Sequence, residues 1–422
     1  MMGETEERAI LVGAGEERYL NELGRLAETL GVRVVGSLEQ NRRDNAGYLG
    51  KGKRGELSGL VRELDATLVV ADDELTASQA RVLERDAGAR VADRTQVIIR
   101  IFEAHARDAA SKLQVELAEL EYTLPRARGM WTHLERQEGG GGSASRGATR
   151  GPGEQQIEYD RRVIREKMRT IRRKLEEDKA AREVRGARLK DVYTPTVALV
   201  GYTNAGKTTI LNSLSGADRS TRDWLFETLE TTTRLVEGKS ANGKGSSRPD
   251  FVVTDTVGFI RKLPTQLVES FASTLDAAAH ADIIVLCADA SSEDLEEEVQ
   301  TVRRTLSDVL PGDSHANHII LCFNKRDLLR RDEEDKIACG VRQAILITAL
   351  DETEDLAEEI YRQIERGRKR LSLLIPHKDY LVASSLYGLA EIHSRTETTS
   401  GVEMEVTLPP AAVFKYEPYR IA

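Results

Sequence analysis

Hydrophobic positions along the 422-residue chain change their period several times, and each change marks a different kind of element. Up to residue 98, short apolar runs alternate with amphipathic stretches. Arg8-Ala9-Ile10-Leu11-Val12-Gly13, Val32-Arg33-Val34-Val35-Gly36 and Ala66-Thr67-Leu68-Val69-Val70-Ala71 predict strands. Tyr19 to Leu30 and a stretch near 54–64 predict helices, and the alternation predicts a small α/β domain over 1–98. Over 99–190 the period becomes helical. Ile101 to Tyr122 carries Leu113, Leu117 and Leu120 at helical spacing. Glu154 to Lys190 repeats Ile157, Val163, Ile164, Met168, Ile171 and Leu175 at near-heptad intervals. Two such helices bury their stripes as an antiparallel hairpin, whose tip is the Gly-, Ser- and Arg-rich stretch Glu138 to Gly153.

Buried-strand runs return over 194–370: Thr196 to Val200, Phe251 to Thr254, Asp282 to Asp289, His318 to Phe323 and Ala344 to Ile347. They predict a second, larger α/β domain. In residues 371–422, Tyr380 to Ser384 and Glu403 to Leu408 predict short strands of a small α+β appendage.

The chemistry sits at the ends of the strands of the larger domain. Directly after the first of them the chain reads Gly201-Tyr202-Thr203-Asn204-Ala205-Gly206-Lys207-Thr208, followed by a helical start. Strand, glycine loop and helix are the context in which G-x-x-x-x-G-K-[ST] binds phosphates. Backbone N–H groups surround the phosphate oxygens and the helix N-terminus adds positive dipole. Lys207 is placed to reach the β- and γ-phosphates, and the Thr208 hydroxyl to sit on Mg²⁺. A bare glycine turn remains the alternative for this motif alone.

Three later motifs, in order, reduce that alternative. Asp255-Thr256-Val257-Gly258 ends a strand: the carboxylate suits Mg²⁺, and glycine allows its N–H to approach the γ-phosphate. Asn324-Lys325-Arg326-Asp327 is the N-K-x-D guanine reader, whose Asp accepts from the guanine ring N–H and amine. Adenine offers neither donor, and a site built for a polar edge rejects an analogue lacking it by roughly 10⁴–10⁵ at best. Thr348-Ala349-Leu350 follows the last strand and suits a backbone contact to the guanine oxygen. Between the first two motifs, Phe226-Glu227-Thr228-Leu229-Glu230-Thr231-Thr232-Thr233-Arg234 is the candidate switch segment, with a Thr-rich β-strand as the alternative. Thr228 is the first choice to complete the Mg²⁺ shell and sense the γ-phosphate, and Thr232 the second. Lys207, Thr228 and Gly258 are therefore the expected catalytic groups; Thr208, Thr228 and Asp255 are the expected metal ligands.

These motifs resemble those of the HflX family of translation-factor-like GTPases. Gly201 to Lys207 looks like its phosphate loop, and Asp255 to Ile260 with Leu263-Pro264 like its second switch. Further carriers are Lys112 to Ala118, Trp131 to Gln137, Arg150 to Glu154 and Asp160-Arg161-Arg162. The chain departs from that family in having Glu230-Thr231 where Asp-Pro is usual, Thr208 for Ser, and a longer glycine segment over 139–153. The resemblance implies a P-loop GTPase domain behind an N-terminal α/β domain and a helical hairpin. It implies a cytoplasmic, Mg²⁺-dependent GTPase that binds the large ribosomal subunit and, in several members, separates stalled ribosomes. The other readings are a GTP-gated RNA- or protein-binding switch with incidental hydrolysis, and an ATP-dependent RNA remodeller.

Phe259, beside the switch glycine, bears on turnover independently. Many GTPases place a Gln near this point to orient the attacking water, and a phenyl ring cannot. Hydrolysis is expected to be slow until a partner organises the water.

Composition adds bounds. Net charge is −9, so any RNA contact has to come from a local patch. Glu154 to Lys190 supplies one, with thirteen Lys/Arg against eight Asp/Glu, although a solvated helix face explains such a run equally well. Cys287, Cys322 and Cys339 have no metal spacing. No apolar run approaches the roughly 20 residues of a bilayer span, so membrane contact, if any, is peripheral. DNA is not an expected partner, and a monomer is the expected state. Gly50-Lys51-Gly52-Lys53 lacks the full phosphate-loop spacing and reads as a turn before a helix.

Overall fold

The computed structural model describes residues 7–15, 19–130, 152–188, 194–217, 225–226, 232–238, 248–262, 277–309, 319–331, 333–334, 344–349, 353–387 and 389–421. The chain divides into two compact units. The first comprises residues 1–179 together with 222–230 and 261–273; the second comprises 180–221, 231–260 and 274–422.

In the first unit, β1 (Arg8–Ala14), β2 (Arg33–Gln40), β3 (Leu68–Ala71) and β4 (Arg90–Asp93) form a parallel sheet in the order β2-β1-β3-β4. The apolar runs of the inner strands β1 and β3 suit parallel strands covered on both faces, while the edge strands β2 and β4 are more exposed. The helices are α1 (Leu20–Thr29), α2 (Lys51–Glu63), α3 (Ala77–Ala87) and α4 (Arg94–His105). Gly50 is the N-cap of α2, so Lys51, Gly52 and Lys53 form the first turn of the helix itself rather than a turn before it. Thr76 and Gln79 close a reciprocal capping box on α3.

The helical stretch predicted over 101–122 is interrupted. Ala106 is extended, and the Asp108 carboxylate accepts the Ser111 N–H at the start of α5 (Ala109–Met130). The second long helix, α6 (Pro152–Arg188), meets α5 through Leu117, Met168 and Ile171, with Leu113, Leu120, Leu124, Ile164 and Leu175 around them. Val163, predicted in that stripe, is instead 46% exposed. Its neighbour Ile164 takes the inward position, and adjacent helical residues cannot share one narrow seam. Most of the glycine-rich tip lies outside the described residues.

The second unit is built on a six-stranded sheet of order β10-β9-β8-β5-β7-β6. Its strands are β5 (Thr196–Gly201), β6 (Thr232–Val236), β7 (Phe251–Asp255), β8 (Ile283–Asp289), β9 (Ile319–Asn324) and β10 (Ala344–Leu346). All pairings are parallel except the edge pair β6–β7. Helices α7 (Lys207–Leu214), α8 (Leu295–Val309) and α9 (Glu354–Gly367) belong to this unit. Cys287 and Cys322 lie in its buried core and act there as small apolar side chains.

The same unit carries an antiparallel sheet β11-β13-β12: β11 (Lys369–Ile375), β12 (Glu391–Glu397) and β13 (Val402–Leu408). Its apolar core includes residues of α10 (Tyr380–Leu386) and α11 (Pro410–Tyr416). The strand predicted over Tyr380 to Ser384 is thus a helix. A Pro376-led 3-10 turn feeds it, and it buries Ala383 and Leu386, three apart, a helical rather than an alternating spacing.

Candidate functional site

The phosphate loop runs from the C-terminal end of the central strand β5 into α7, the place where an open parallel sheet presents ligands. Asn204 (φ 63°) and Gly206 (φ 85°) turn the loop through left-handed backbone. At Gly206 a Cβ would lie 2.1 Å from Asn324 Nδ2. Lys207 follows directly and is 5% exposed, its Nζ donating to Gly201 O at 3.1 Å and Tyr202 O at 2.9 Å. Burial pushes its amine pKa down, while Asp255 pulls the other way. A bound triphosphate would offset that desolvation.

Thr208 and Asp255, both expected as metal ligands, lie side by side: Thr208 Oγ1 donates to Asp255 Oδ2 at 2.6 Å. Parallel pairing of β5 with β7 sets Leu199 opposite Asp255, which brings the carboxylate to the loop. Mg²⁺ prefers oxygen ligands, and a hydroxyl next to a fully buried carboxylate fits that preference. Among the described residues there is no group of three His, Cys, Asp or Glu side chains that could form a self-contained metal cage. A phosphate-bound ion that keeps several waters needs none.

Beyond Asp255 the chain stays against the loop. Thr256 Oγ1 donates to Leu199 O at 2.8 Å, Phe259 N to Gly201 O at 3.0 Å, and Thr203 N to Phe259 O at 2.7 Å. Gly258 lies so close that a Cβ there would be 2.8 Å from Thr203 Cα and 3.1 Å from Lys207 Nζ.

The Asn324-Lys325-Arg326-Asp327 segment leaves β9 and is held in three places. Asn324 Nδ2 donates to Ala205 O at 3.0 Å, and Asn324 Oδ1 accepts from Ala349 N at 2.9 Å. Lys325, in left-handed backbone (φ 64°), pairs with Asp289 at 2.6 Å. Arg326 N donates to Ile347 O at 3.2 Å. Asp327 lies exposed in the short 3-10 turn Arg326–Leu328. One side chain, Asn324, therefore ties the phosphate loop to the Thr348-Ala349 segment. The sequence motif names Asn324, but neither this clamp nor the supporting Asp289 is read from it; a lone Asp closing a strand was the available signal.

The switch segment is described only in part. Glu227, Thr228, Leu229 and Glu230 lie outside the described residues, as does Leu350. Phe226 is buried and packs edge-to-face on Phe102 at 4.7 Å, both within the first unit. Thr232, the second choice for the sensing threonine, is the first residue of β6 and pairs with Asp255 across the sheet.

Three family models match in succession. "GTP-binding GTPase N-terminal" covers residues 17–103, "GTP-binding GTPase Middle Region" 105–188, and "50S ribosome-binding GTPase" 196–325. GTPase HflX of Caldanaerobacter subterraneus subsp. tengcongensis is 40% identical over 88% of this chain and 84% of its own length. The chain belongs to the HflX GTPase family. A second HflX, from Alkalihalophilus pseudofirmus, is 39% identical over 92% of this chain and 89% of its own. Among solved structures, a GTP-binding protein from Sulfolobus solfataricus in complex with GDP aligns at 21% identity and TM-score 0.43, over 85% of this chain and 98% of that one. Among the described residues no helix is long and apolar enough to cross a membrane.

The Gly206 contact makes a direct prediction. Gly206→Ala forces an L-residue into left-handed backbone, at about 1–2 kcal/mol, and drives a methyl into the Asn324 amide. Losing the Asn324–Ala205 hydrogen bond adds about 1 kcal/mol. The variant should melt several degrees below the parent and bind no fluorescent GDP at concentrations that saturate it. Parent-like melting and binding would show that the clamp is not needed.

Proposed function

We propose that this GTPase binds the large ribosomal subunit in its GTP form, acts there in splitting or rescuing stalled ribosomes, and hydrolyses GTP to GDP and phosphate when the ribosome organises the attacking water. The observation that carries the nucleotide part is the Asn324 clamp, which fixes the base-reading loop and the phosphate loop to each other through one side chain. For the ribosome, the match of residues 196–325 to a 50S ribosome-binding GTPase model supports the reading.

In this scheme Gly201 to Thr208 wraps the phosphates and Lys207 neutralises the β- and γ-oxygens. Thr208, Asp255 and Thr228 hold Mg²⁺, which supplies charge neutralisation between the phosphates. The Gly258 N–H takes the γ-phosphate, and the Phe226 to Glu230 segment follows its presence. Asp327 reads the guanine ring edge, while Thr348, Ala349 and Leu350 take its carbonyl through backbone N–H groups. Phe259 is 3% exposed and gives no polar group to a water, which supports a need for the partner. The protein then works in the cytoplasm, with α6 and the glycine-rich tip as the RNA-facing elements.

Cosedimentation tests it. The chain should pellet with large ribosomal subunits in a non-hydrolysable GTP analogue and stay in the supernatant with GDP. Equal pelleting in both states, or none, would contradict the proposal. Removing residues 139–150 should leave GTP binding intact and abolish subunit separation; unaltered separation would exclude the tip from that role.

A further inference from the structure

The first unit contains a second arrangement that the nucleotide chemistry does not use. Its sheet order, β2-β1-β3-β4, reverses direction between β1 and β3, and such a reversal opens a crevice beyond the strand C-termini. Asp72 and Asp73 follow β3 directly at that crevice, and both are buried. Asp73 accepts from Tyr48 Oη at 2.8 Å and pairs with Arg43 at 2.7 Å; Tyr48 Oη accepts the Ala14 N–H at the end of β1. Asp72 pairs with the fully buried Arg94 at 3.1 Å and accepts the Tyr19 N–H.

The crevice has an occupant from the chain itself. Lys262 Nζ reaches Asp72 Oδ2 at 2.8 Å and Asp73 Oδ1 at 2.9 Å. Arg94 Nη1 donates to Arg261 O at 2.9 Å, and the Arg261 guanidinium lies 4.4 Å over the Tyr19 ring. All these residues belong to the first unit, whose segment 261–273 begins with Arg261. Lys262 sits in left-handed backbone (φ 52°), a conformation a lysine adopts only when its surroundings hold it there. The arrangement is that of an ammonium ligand in a carboxylate-lined binding site.

Lys262 is four residues after Gly258. Gly258 is packed on the phosphate loop so closely that a methyl there would collide with Thr203, with Lys207 Nζ alongside, and Phe259 is hydrogen-bonded to Gly201 and Thr203 of the loop. A γ-phosphate held by both Lys207 and the Gly258 N–H has to be accommodated at this close contact, and the 258–259 backbone shifts to take it. A covalent link that short carries such a displacement to Arg261 and Lys262.

We propose that the Asp72–Asp73 crevice is the receptor site for Lys262 of the same chain, and that its occupancy reports the nucleotide: filled with GDP, vacated with GTP. The proposal rests on the reading of Gly258 as the γ-phosphate contact. The ion pairs then oppose GTP binding and leave GDP binding alone, because a ligand shifts an equilibrium only through its differential affinity for the two states. Asp72 and Asp73 retain Arg94 and Arg43 when Lys262 leaves, so vacancy does not strand a buried charge.

Lys262→Met keeps the aliphatic stem and removes the ammonium; Lys262→Arg keeps the charge. Affinities of wild type and both variants for fluorescent GDP and a non-hydrolysable GTP analogue are the test. Lys262→Met should bind the analogue about tenfold tighter, within the span of couplings of this kind, with GDP affinity unchanged. Lys262→Arg should stay near wild type. A Lys262→Met analogue-to-GDP affinity ratio within about twofold of wild type would overturn the proposal, at the low edge of such couplings. Unchanged GDP binding shows that the variant is folded. Wild-type protein that binds neither nucleotide would instead refute the underlying reading of the site. In wild type, tryptic cleavage after Lys262, mapped by mass spectrometry, should be faster with the analogue than with GDP; equal rates would again overturn the latch.

Discussion

Replacing Lys207 with alanine should slow GTP hydrolysis by about 10³-fold or more, since one preorganised donor to developing charge is commonly worth 10²–10³ and this one carries a full charge. The amine is buried and already desolvated, its position fixed by two carbonyl oxygens of its own loop. A triphosphate thus meets a cation that needs little reorganisation, which is the condition under which such a group contributes most to a phosphoryl transfer. The substitution also removes one of two donors from each of the Gly201 and Tyr202 carbonyls, which keep the Phe259 and Ala205 N–H groups, so little stability should be lost with the amine. Melting without nucleotide has to be measured beside the single-turnover rate, so that lost folding is not mistaken for lost chemistry. A folded Lys207→Ala protein with a rate within about tenfold of the parent would remove Lys207 from the catalytic role, being well short of the loss of even one such donor.

Asp327→Asn should change which base is bound. The carboxylate is exposed in a turn whose backbone is fixed by the Asn324 clamp, the Lys325–Asp289 pair and the Arg326–Ile347 hydrogen bond. The turn should survive a substitution of equal size. The charged acceptor contributes about 1.5–3 kcal/mol per hydrogen bond, so losing both contacts to guanine should weaken GTP binding by about 10²–10³. The asparagine amide also brings a donor against the guanine amine. Xanthine carries a carbonyl there, so the variant should prefer xanthosine triphosphate to GTP. Competition against fluorescent GDP reads both effects; an unchanged order of GTP over xanthosine triphosphate would mean that Asp327 does not read the base.

The strands and motifs of the second unit were legible because continuous apolar runs ending in Gly, Asp or Asn leave few alternatives. Thr208 meeting Asp255 follows from the parallel registration of two such runs. Where the sequence misled, the cause was local ambiguity. Tyr380 to Ser384 is too short for its period to separate strand from helix, and packing of Ala383 and Leu386 decided. Val163 and Ile164 are adjacent and equally apolar, so only contact with α5 shows which faces inward. Asn324 joining Ala205 to Ala349, and Lys262 lying between Asp72 and Asp73, are contacts across 25 to 190 positions; no pattern in one sequence encodes them.

The measurement that tests the central claim most directly is single-turnover hydrolysis of GTP and of ATP by the purified full chain, with and without large ribosomal subunits. The account predicts slow GTP hydrolysis alone, strong acceleration by the subunits, and no comparable ATP turnover in either condition. GTP hydrolysis that is fast alone and unchanged by ribosomal subunits, or ATP turned over as readily as GTP, would contradict it.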